Sequence, residues 1–184
     1  WISRRYRVAP EPISRLVQEA WQVGARAGLD PTLILAIMAI ESSFNPFAQS
    51  SVGAQGLMQV MTKVHDDKYV AFGGNHAAFD PVTNLRVGVQ VLKDCIAQAG
   101  SVEGGLKYYV GAANLPDDGG YAAKVLGEQS HLKQVAAGKT VAVTVPQTVA
   151  RPAEAPAKAA VEAASQAKAG LATQPVVLAA TLQR

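Results

Sequence analysis

The sequence contains a single cysteine, Cys95, and only three histidines. One cysteine excludes a disulfide within the chain and any zinc site built on cysteines. His65, His76 and His131 lie far apart, without the spacing that is typical of metal ligands. We therefore expect no metal and no cofactor, and Cys95 is interpreted as a small residue of the core.

Long apolar runs are also absent. The longest run covers residues 33–40, whereas a helix that spans a membrane needs about 20 apolar residues. We therefore expect no membrane segment in this chain. Because it begins with Trp1 rather than Met, we expect a processed product from which any secretion signal or anchor is missing.

Positive charge is scarce in most of the chain. Residues 1–134 carry 12 basic and 12 acidic residues, whereas residues 135–184 carry 5 and 2. Although the calculated pI is about 9.1, the neutral first part argues against nucleic-acid binding. Residues 135–184 have no aromatic residue and are rich in Ala and Pro. We predict that they form a mostly disordered tail, either a solvated terminus or a weak anion-binding arm.

Residues 1–134 are predicted to form one all-α domain. Apolar residues recur at helical spacing within residues 12–28 and 84–100, and Trp21 is placed in the core by this pattern. Residues 31–42 are apolar around the whole helix circumference, which predicts a central buried helix capped by Asp30 and Pro31. Residues 102–113 and 120–135 supply further helices. No alternating strand pattern occurs before the tail.

One carboxylate, Glu41, directly follows the apolar run. Ile34, Ile37 and Met38 lie seven, four and three residues before it, so they share its helix face. Apolar surroundings favour the protonated form of a carboxyl group, and a protonated Glu can act as the acid in glycoside cleavage. Pro46 favours a helix end shortly after Glu41. From these features alone, a catalytic acid and an exposed Glu at a helix end are equally plausible.

The stretch "ESSFNPFAQSSVGAQGLMQ" decides between these alternatives. It resembles the signature of lytic transglycosylases of the soluble (SLT) type, which have a lysozyme-like fold and cut bacterial peptidoglycan. The matching positions are Glu41, Ser42, Phe44, Pro46, Ala48, Ser50, Gly53, Ala54, Gly56, Leu57, Met58 and Gln59. A pattern with a dozen fixed positions is highly specific.

Weaker resemblance extends over residues 12–130. The segment "DPVTNL" is similar to a family segment that starts a later helix, and we interpret Asp80 and Asn84 there as capping and packing residues. "YYVGAA" lies where the family has Ala-Tyr-Asn-Ala-Gly, with Val110 in place of Asn. Thr62 replaces a common proline.

The resemblance implies a lytic reaction at the bond between N-acetylmuramic acid and N-acetylglucosamine. Glu41 would first protonate the glycosidic oxygen and then accept the proton of the muramic acid C6 hydroxyl, which closes a 1,6-anhydro ring. A hydrolase normally needs a second carboxylate, and none lies near Glu41 in the sequence.

The resemblance also suggests substrate-binding residues. Ser50 would lie near Glu41, the amide of Gln59 would contact sugar, Met61 would form an apolar wall, and Tyr109 would supply a ring and a hydroxyl group. For Met61 and Tyr109, ordinary core packing is the alternative.

Two other functions stay open. The first is a catalytically weak or inactive glycan-binding module that serves a secretion apparatus or another envelope protein, and the second is a hydrolytic muramidase. Because the expected partner is the glycan strand of peptidoglycan, we expect a periplasmic or cell-envelope location.

Overall fold

The computed structural model describes residues 1–146. Within this range the chain forms seven α-helices and one small antiparallel hairpin. The helices are α1 (Ile2–Tyr6), α2 (Pro10–Ala27), α3 (Pro31–Ser42), α4 (Asp66–Tyr69), α5 (Pro81–Ala99), α6 (Val102–Tyr109) and α7 (Tyr121–Ala136). The strands are β1 (Ala54–Gln55) and β2 (Val60–Met61), and two short 3-10 helices, Val70–Phe72 and Asn75–Phe79, precede α5. The predicted all-α class is confirmed, with the hairpin as an unpredicted addition.

Helix α3 forms the centre of the domain, as its composition predicts. Asp30 caps its first turn by accepting a hydrogen bond from the Thr32 amide at 2.9 Å, and Pro31 occupies the first helical position. Every residue from 32 to 39 is buried. The helix packs against both α7 and α2.

Helix α5 forms the second layer of the core. Its buried face includes Leu85, Val89 and Leu92 and packs against α6 and α2. The N-terminal turn is capped by Asp80, whose carboxylate accepts from the Thr83 amide at 2.7 Å. Asn84 is completely buried in the next turn and bonds to the loop that holds the hairpin. The structure therefore gives Asp80 and Asn84 the capping and packing roles expected of them.

The prediction for Trp21 was wrong. Its side chain does not lie in the core, because it is 50% exposed on α2. Helix α1, which was not predicted from the sequence, brings Arg5 into contact with Glu128 of α7.

The segment that follows α7 runs back along α1. Helix α7 continues to Ala136, beyond the expected boundary at residue 134. The Trp1 indole then donates to the carbonyl oxygen of Val141 at 3.1 Å, and Arg5 donates to that of Thr144. The division into domains at residues 134 and 135 stays a prediction, and the part of the predicted tail from 147 onward lies outside the described residues.

No helix within residues 1–146 combines the length and apolar character needed to cross a bilayer. No group of three or more His, Cys, Asp or Glu side chains in the same range is arranged to hold a metal ion.

Candidate active site

Glu41 occupies the last turn of α3, where the helix meets the hairpin loop. Ser43 and Phe44, the first two residues after the helix, adopt left-handed backbone conformations with φ of 52° and 64°, so the chain reverses sharply. Ser42 fixes this end, because its hydroxyl contacts the carbonyl oxygens of Met38 at 3.1 Å and Leu57 at 2.8 Å. Glu41 itself is partly exposed.

Tyr121, the first residue of α7, makes a hydrogen bond to Glu41. Its hydroxyl group donates to Glu41 Oε1 at 2.8 Å. Burial raises the pKa of Tyr121 well above its usual value, and the charge of Glu41 adds to this rise. The phenol consequently stays protonated and keeps its donor role over the whole physiological range.

Ser50 and Met61 lie on either side of Ala54. The Ser50 hydroxyl oxygen accepts from the Ala54 amide at 2.9 Å, and the Ser50 amide donates to the Ala54 carbonyl, also at 2.9 Å. Met61 is the partner of Ala54 across the hairpin and is 8% exposed. Ser50 thus shapes the turn that leads into β1, and Met61 forms part of the apolar surface beside it.

Gln59 holds together the loop that follows Glu41. Its backbone is left-handed, with φ of 47°, and its side chain is buried. The side-chain nitrogen Nε2 donates to the carbonyl oxygens of Ala48 and Gly56, each at 3.0 Å. Because these two carbonyls belong to opposite arms of the loop, Gln59 fixes the distance between the arms.

Tyr109 reaches the same loop from the end of α6. Its hydroxyl donates to the carbonyl oxygen of Met58 at 2.8 Å, and the residue is buried. Burial raises the pKa of Tyr109 well above its usual value, and the nearby Glu41 charge contributes to the rise. Tyr109 therefore lies within electrostatic reach of Glu41 while supporting the loop.

Asn84 connects this loop to α5. Its Oδ1 accepts from the Met58 amide at 2.8 Å, and its Nδ2 donates to the Gln55 carbonyl at 2.9 Å and to the Tyr69 hydroxyl at 3.2 Å. The side chain is fully buried, and it provides hydrogen-bond partners for a backbone carbonyl of β1 and for a backbone amide of the loop between the strands. It holds the hairpin on the helical core.

The structure therefore gathers the five predicted residues around one loop and adds a sixth. Roles in substrate binding for Ser50, Gln59, Met61 and Tyr109 stay predictions. Tyr121 was not identified from the sequence. It stands 80 residues after Glu41, behind the pair Gly119–Gly120, and no local pattern links the two positions.

The amino-acid sequence matches a family model. The model of the transglycosylase SLT domain matches residues 19–127. This range contains Glu41, Tyr121 and the whole hairpin loop, and it excludes α1 and the second half of α7.

Similar sequences carry related names. The chain is 34% identical over 106 residues to a transglycosylase of Enterobacteria phage PRD1, covering 55% of this chain and 38% of that protein. It is 40% identical over 77 residues to membrane-bound lytic murein transglycosylase C of Mannheimia succiniciproducens, covering 39% of this chain and 22% of the relative. The matched segments thus span well under half the length of these relatives.

A solved structure shows the same fold. The structure of an inactive mutant of the lytic transglycosylase Slt from Pseudomonas aeruginosa aligns with a TM-score of 0.54 at 19% identity. The alignment covers 69% of this chain and 25% of the Slt chain.

Proposed function

Because the chain belongs to the transglycosylase SLT domain family, we propose that it cleaves the β-1,4 bond between N-acetylmuramic acid and N-acetylglucosamine in peptidoglycan without consuming water. Glu41 acts as the acid and then as the base, and the product ends in 1,6-anhydromuramic acid. The observation that carries the proposal is the hydrogen bond from Tyr121 to Glu41 Oε1 at 2.8 Å, at a partly exposed carboxyl group.

In the first step, the protonated Glu41 donates its proton to the glycosidic oxygen. The bond between C1 of the muramic acid and this oxygen breaks, and N-acetylglucosamine leaves with a free 4-hydroxyl group. Negative charge develops on Glu41, and the hydroxyl of Tyr121 stabilises it through Oε1.

In the second step, the C6 hydroxyl of the muramic acid attacks C1 and closes the anhydro ring. Its proton passes to the carboxylate of Glu41, which returns to its starting form. One carboxyl group therefore serves both proton transfers. Because the nucleophile belongs to the substrate itself, this route needs no second carboxylate.

The surrounding loop supports this chemistry by being rigid. Gln59, Tyr109 and Asn84 each bind backbone groups of the loop at 3.0 Å or less, and no buried side-chain nitrogen or oxygen within residues 1–146 lacks a hydrogen-bond partner. A fixed loop holds the sugar rings close to Glu41, which favours ring closure over attack by water.

The substrate also implies where the protein acts. Peptidoglycan lies outside the cytoplasmic membrane, so we propose that the chain works in the periplasm or cell envelope. An envelope or secretion-system protein is a proposed partner that would direct the cleavage. The competing function is a glycan-binding module with little activity.

The test is mass analysis of soluble products from purified peptidoglycan. Three proteins are compared, namely the wild type, Glu41→Gln and the matched surface variant Glu103→Gln, which alters an exposed carboxylate in the first turn of α6. We expect anhydromuramic ends with the wild type and Glu103→Gln, and none with Glu41→Gln.

Each other result has a definite meaning. Products with reducing ends, one water heavier, would show hydrolysis and contradict ring closure. In that case a second carboxylate would be needed, and Asp118 is the first candidate, because its charge contributes to the raised pKa of Tyr121. The variant Asp118→Asn tests it. No product from any of the three folded proteins would contradict the enzymatic function and favour the binding module.

A further inference from the structure

A buried ion pair joins α1 to α7 outside the site described above. Glu128 of α7 is 5% exposed, and both of its carboxylate oxygens contact Arg5 of α1, with Nε to Oε1 at 3.0 Å and Nη2 to Oε2 at 2.8 Å. The Tyr6 hydroxyl also donates to Oε1 at 2.7 Å. Arg5, Tyr6 and Glu128 all lie outside residues 19–127, the range that the family model matches.

The geometry of this cluster is strongly constrained. Two parallel bonds between a guanidinium and a carboxylate fix both groups in one orientation. The guanidinium of Arg5 also lies over the rings of Trp1 and Tyr6, at 5.0 Å and 5.6 Å from their centres. His131 contacts Glu128 from the next turn of α7 at 3.3 Å. Helix α1 therefore has one well-defined position on α7.

The cluster reaches the active site along α7. Glu128 and Tyr121 are seven residues apart on this helix, which places them two turns apart on the same face. Asp118 caps the start of α7, because its Oδ1 accepts from the Gly120 amide at 2.9 Å and its Oδ2 accepts from the Ala122 amide at 2.8 Å. This cap holds one end of the helix, and the Glu128 cluster holds it two turns further along. The direction of α7, and with it the position of the Tyr121 phenol, therefore depends on both.

The cluster also reaches the active site through Tyr6. The Tyr6 ring packs edge-on against the ring of Phe44, with centres 5.1 Å apart. Phe44 is buried in the left-handed turn that begins two residues after Glu41. Helix α1 consequently contacts the turn that follows Glu41 as well as the helix that carries Tyr121.

We propose that α1 is a clamp that sets the Tyr121 hydroxyl against the Glu41 carboxylate, with Tyr6 as a positioning residue. Tyr6 bridges the two sides, since its hydroxyl bonds Glu128 and its ring packs on Phe44. It touches neither Glu41 nor the substrate. The effect of the clamp on catalysis rests on the proposed function, whereas its effect on Tyr121 does not.

Two variants of Tyr6 separate its contacts. Tyr6→Phe removes the bond to Glu128 and keeps the ring on Phe44, and Tyr6→Ala removes both. The control is Val89→Ala, which trims a buried residue on α5 and destabilises the domain away from the clamp. Thermal unfolding of each variant identifies a temperature at which the wild type and all the variants are folded.

The first measurement is the NMR resonance of the Tyr121 Cζ carbon in protein labelled on tyrosine, which reports the state of the phenol. Tyr121→Phe assigns the signal, and Glu41→Ala gives its position without the acceptor. We expect Tyr6→Ala to move the signal toward the Glu41→Ala position, Tyr6→Phe to move it less, and Val89→Ala to leave it in place.

The second measurement is the kinetics of peptidoglycan cleavage per folded molecule. We expect kcat to fall about tenfold in Tyr6→Ala with KM nearly unchanged, because small misplacements of reacting groups cost this much or more. An unmoved Tyr121 resonance in a folded but less stable Tyr6→Ala protein would overturn the clamp. An inactive wild type would contradict the proposed function, and the resonance would still decide the inference.

Discussion

Two buried tyrosine hydroxyl groups near Glu41 make hydrogen bonds of equal length to acceptors of different kinds. Tyr121 donates to the Glu41 carboxyl group and Tyr109 to the Met58 carbonyl, both at 2.8 Å. The first acceptor gains charge during the proposed reaction, whereas the second belongs to the backbone of a loop. Loss of the two hydroxyl groups should therefore affect different properties.

Replacing Tyr121 by Phe should reduce catalysis. A hydrogen bond to a charged group contributes about 1.5–3 kcal/mol, and each 1.4 kcal/mol corresponds to about tenfold in rate. We expect kcat in peptidoglycan cleavage to fall by about 10- to 100-fold. Tyr108→Phe, at a tyrosine that is 37% exposed, is the control. A kcat within about twofold of the wild type would show that Tyr121 does not stabilise the carboxylate.

Replacing Tyr109 by Phe should reduce stability. The Met58 carbonyl loses its donor in a buried position, which costs about 1–3 kcal/mol of unfolding free energy. The ring remains, so any packing against sugar is preserved. We expect a lower urea midpoint and only a small fall in kcat per folded molecule, because the loop keeps its bonds from Gln59 and Asn84. A large loss of kcat at unchanged stability would instead place this hydroxyl among the groups that contact the substrate.

At the residue scale, the sequence predicts what is local. Glu41, Ser50 and Gln59 belong to one short motif, and the structure brings them to one loop. The hydrogen bonds that these residues make could not be predicted, because the Gln59 amide donates to two backbone carbonyls that only the folded loop brings together. Tyr121 was missed for the same reason, since its contact with Glu41 depends on how α7 packs on α3.

At the scale of elements, the hairpin and α5 form one unit. Gly56, in the loop that follows β1, has φ of 77°, and a Cβ atom there would collide with the Ala78 carbonyl and the Asn84 side-chain amide. Gly53 also has a positive φ of 92°, but nothing lies within 4 Å of its Cβ position. The two glycines therefore separate the cost of backbone strain from the cost of a collision.

Gly56→Ala should destabilise the protein more than Gly53→Ala. Left-handed backbone costs a residue with a side chain roughly 1–2 kcal/mol, and both variants incur this cost. Gly56→Ala must also push β1 away from α5, which disturbs the Asn84 hydrogen bonds. We expect its loss of unfolding free energy, measured in urea, to be at least about twice that of Gly53→Ala. Equal losses of unfolding free energy in the two variants would mean that the loop can move away from α5 without cost.

Helix prediction succeeded where the local sequence contains both apolar periodicity and capping residues. Helix α3 begins and ends at Pro31 and Ser42, as expected, because Asp30 and Pro31 mark its start. The hairpin was missed because each strand has two residues, too few to show alternation. Helix α1 has five residues and no side-chain cap, and its position comes from Arg5 and Glu128 rather than from local sequence.

At the scale of the whole molecule, folding removes many weak acids from water. Burial raises the pKa of Tyr69 to about 12 and that of Cys95 to about 11, from ordinary values of 10.0 and 9.0. Burial also raises the pKa of Tyr6, Tyr109 and Tyr121 well above the ordinary tyrosine value. Four of the five tyrosines in the sequence are therefore held in the protonated form by the fold.

These raised pKa values predict that the folded protein loses stability in alkali. Between the unfolded and the folded pKa, the unfolded chain releases protons that the folded chain retains. The stabilisation is fully present below pH 9, decreases as the pH rises from 9 to 12, and each group contributes at most about 1.4 kcal/mol per pH unit.

Urea unfolding at a series of pH values from 7 to 11.5 measures the decrease. Tyr69→Phe should reduce the slope above pH 10 and Cys95→Ala the slope between pH 9 and 11, since each removes one such group. An unfolding free energy that stays constant up to pH 11.5 would contradict the burial of these side chains.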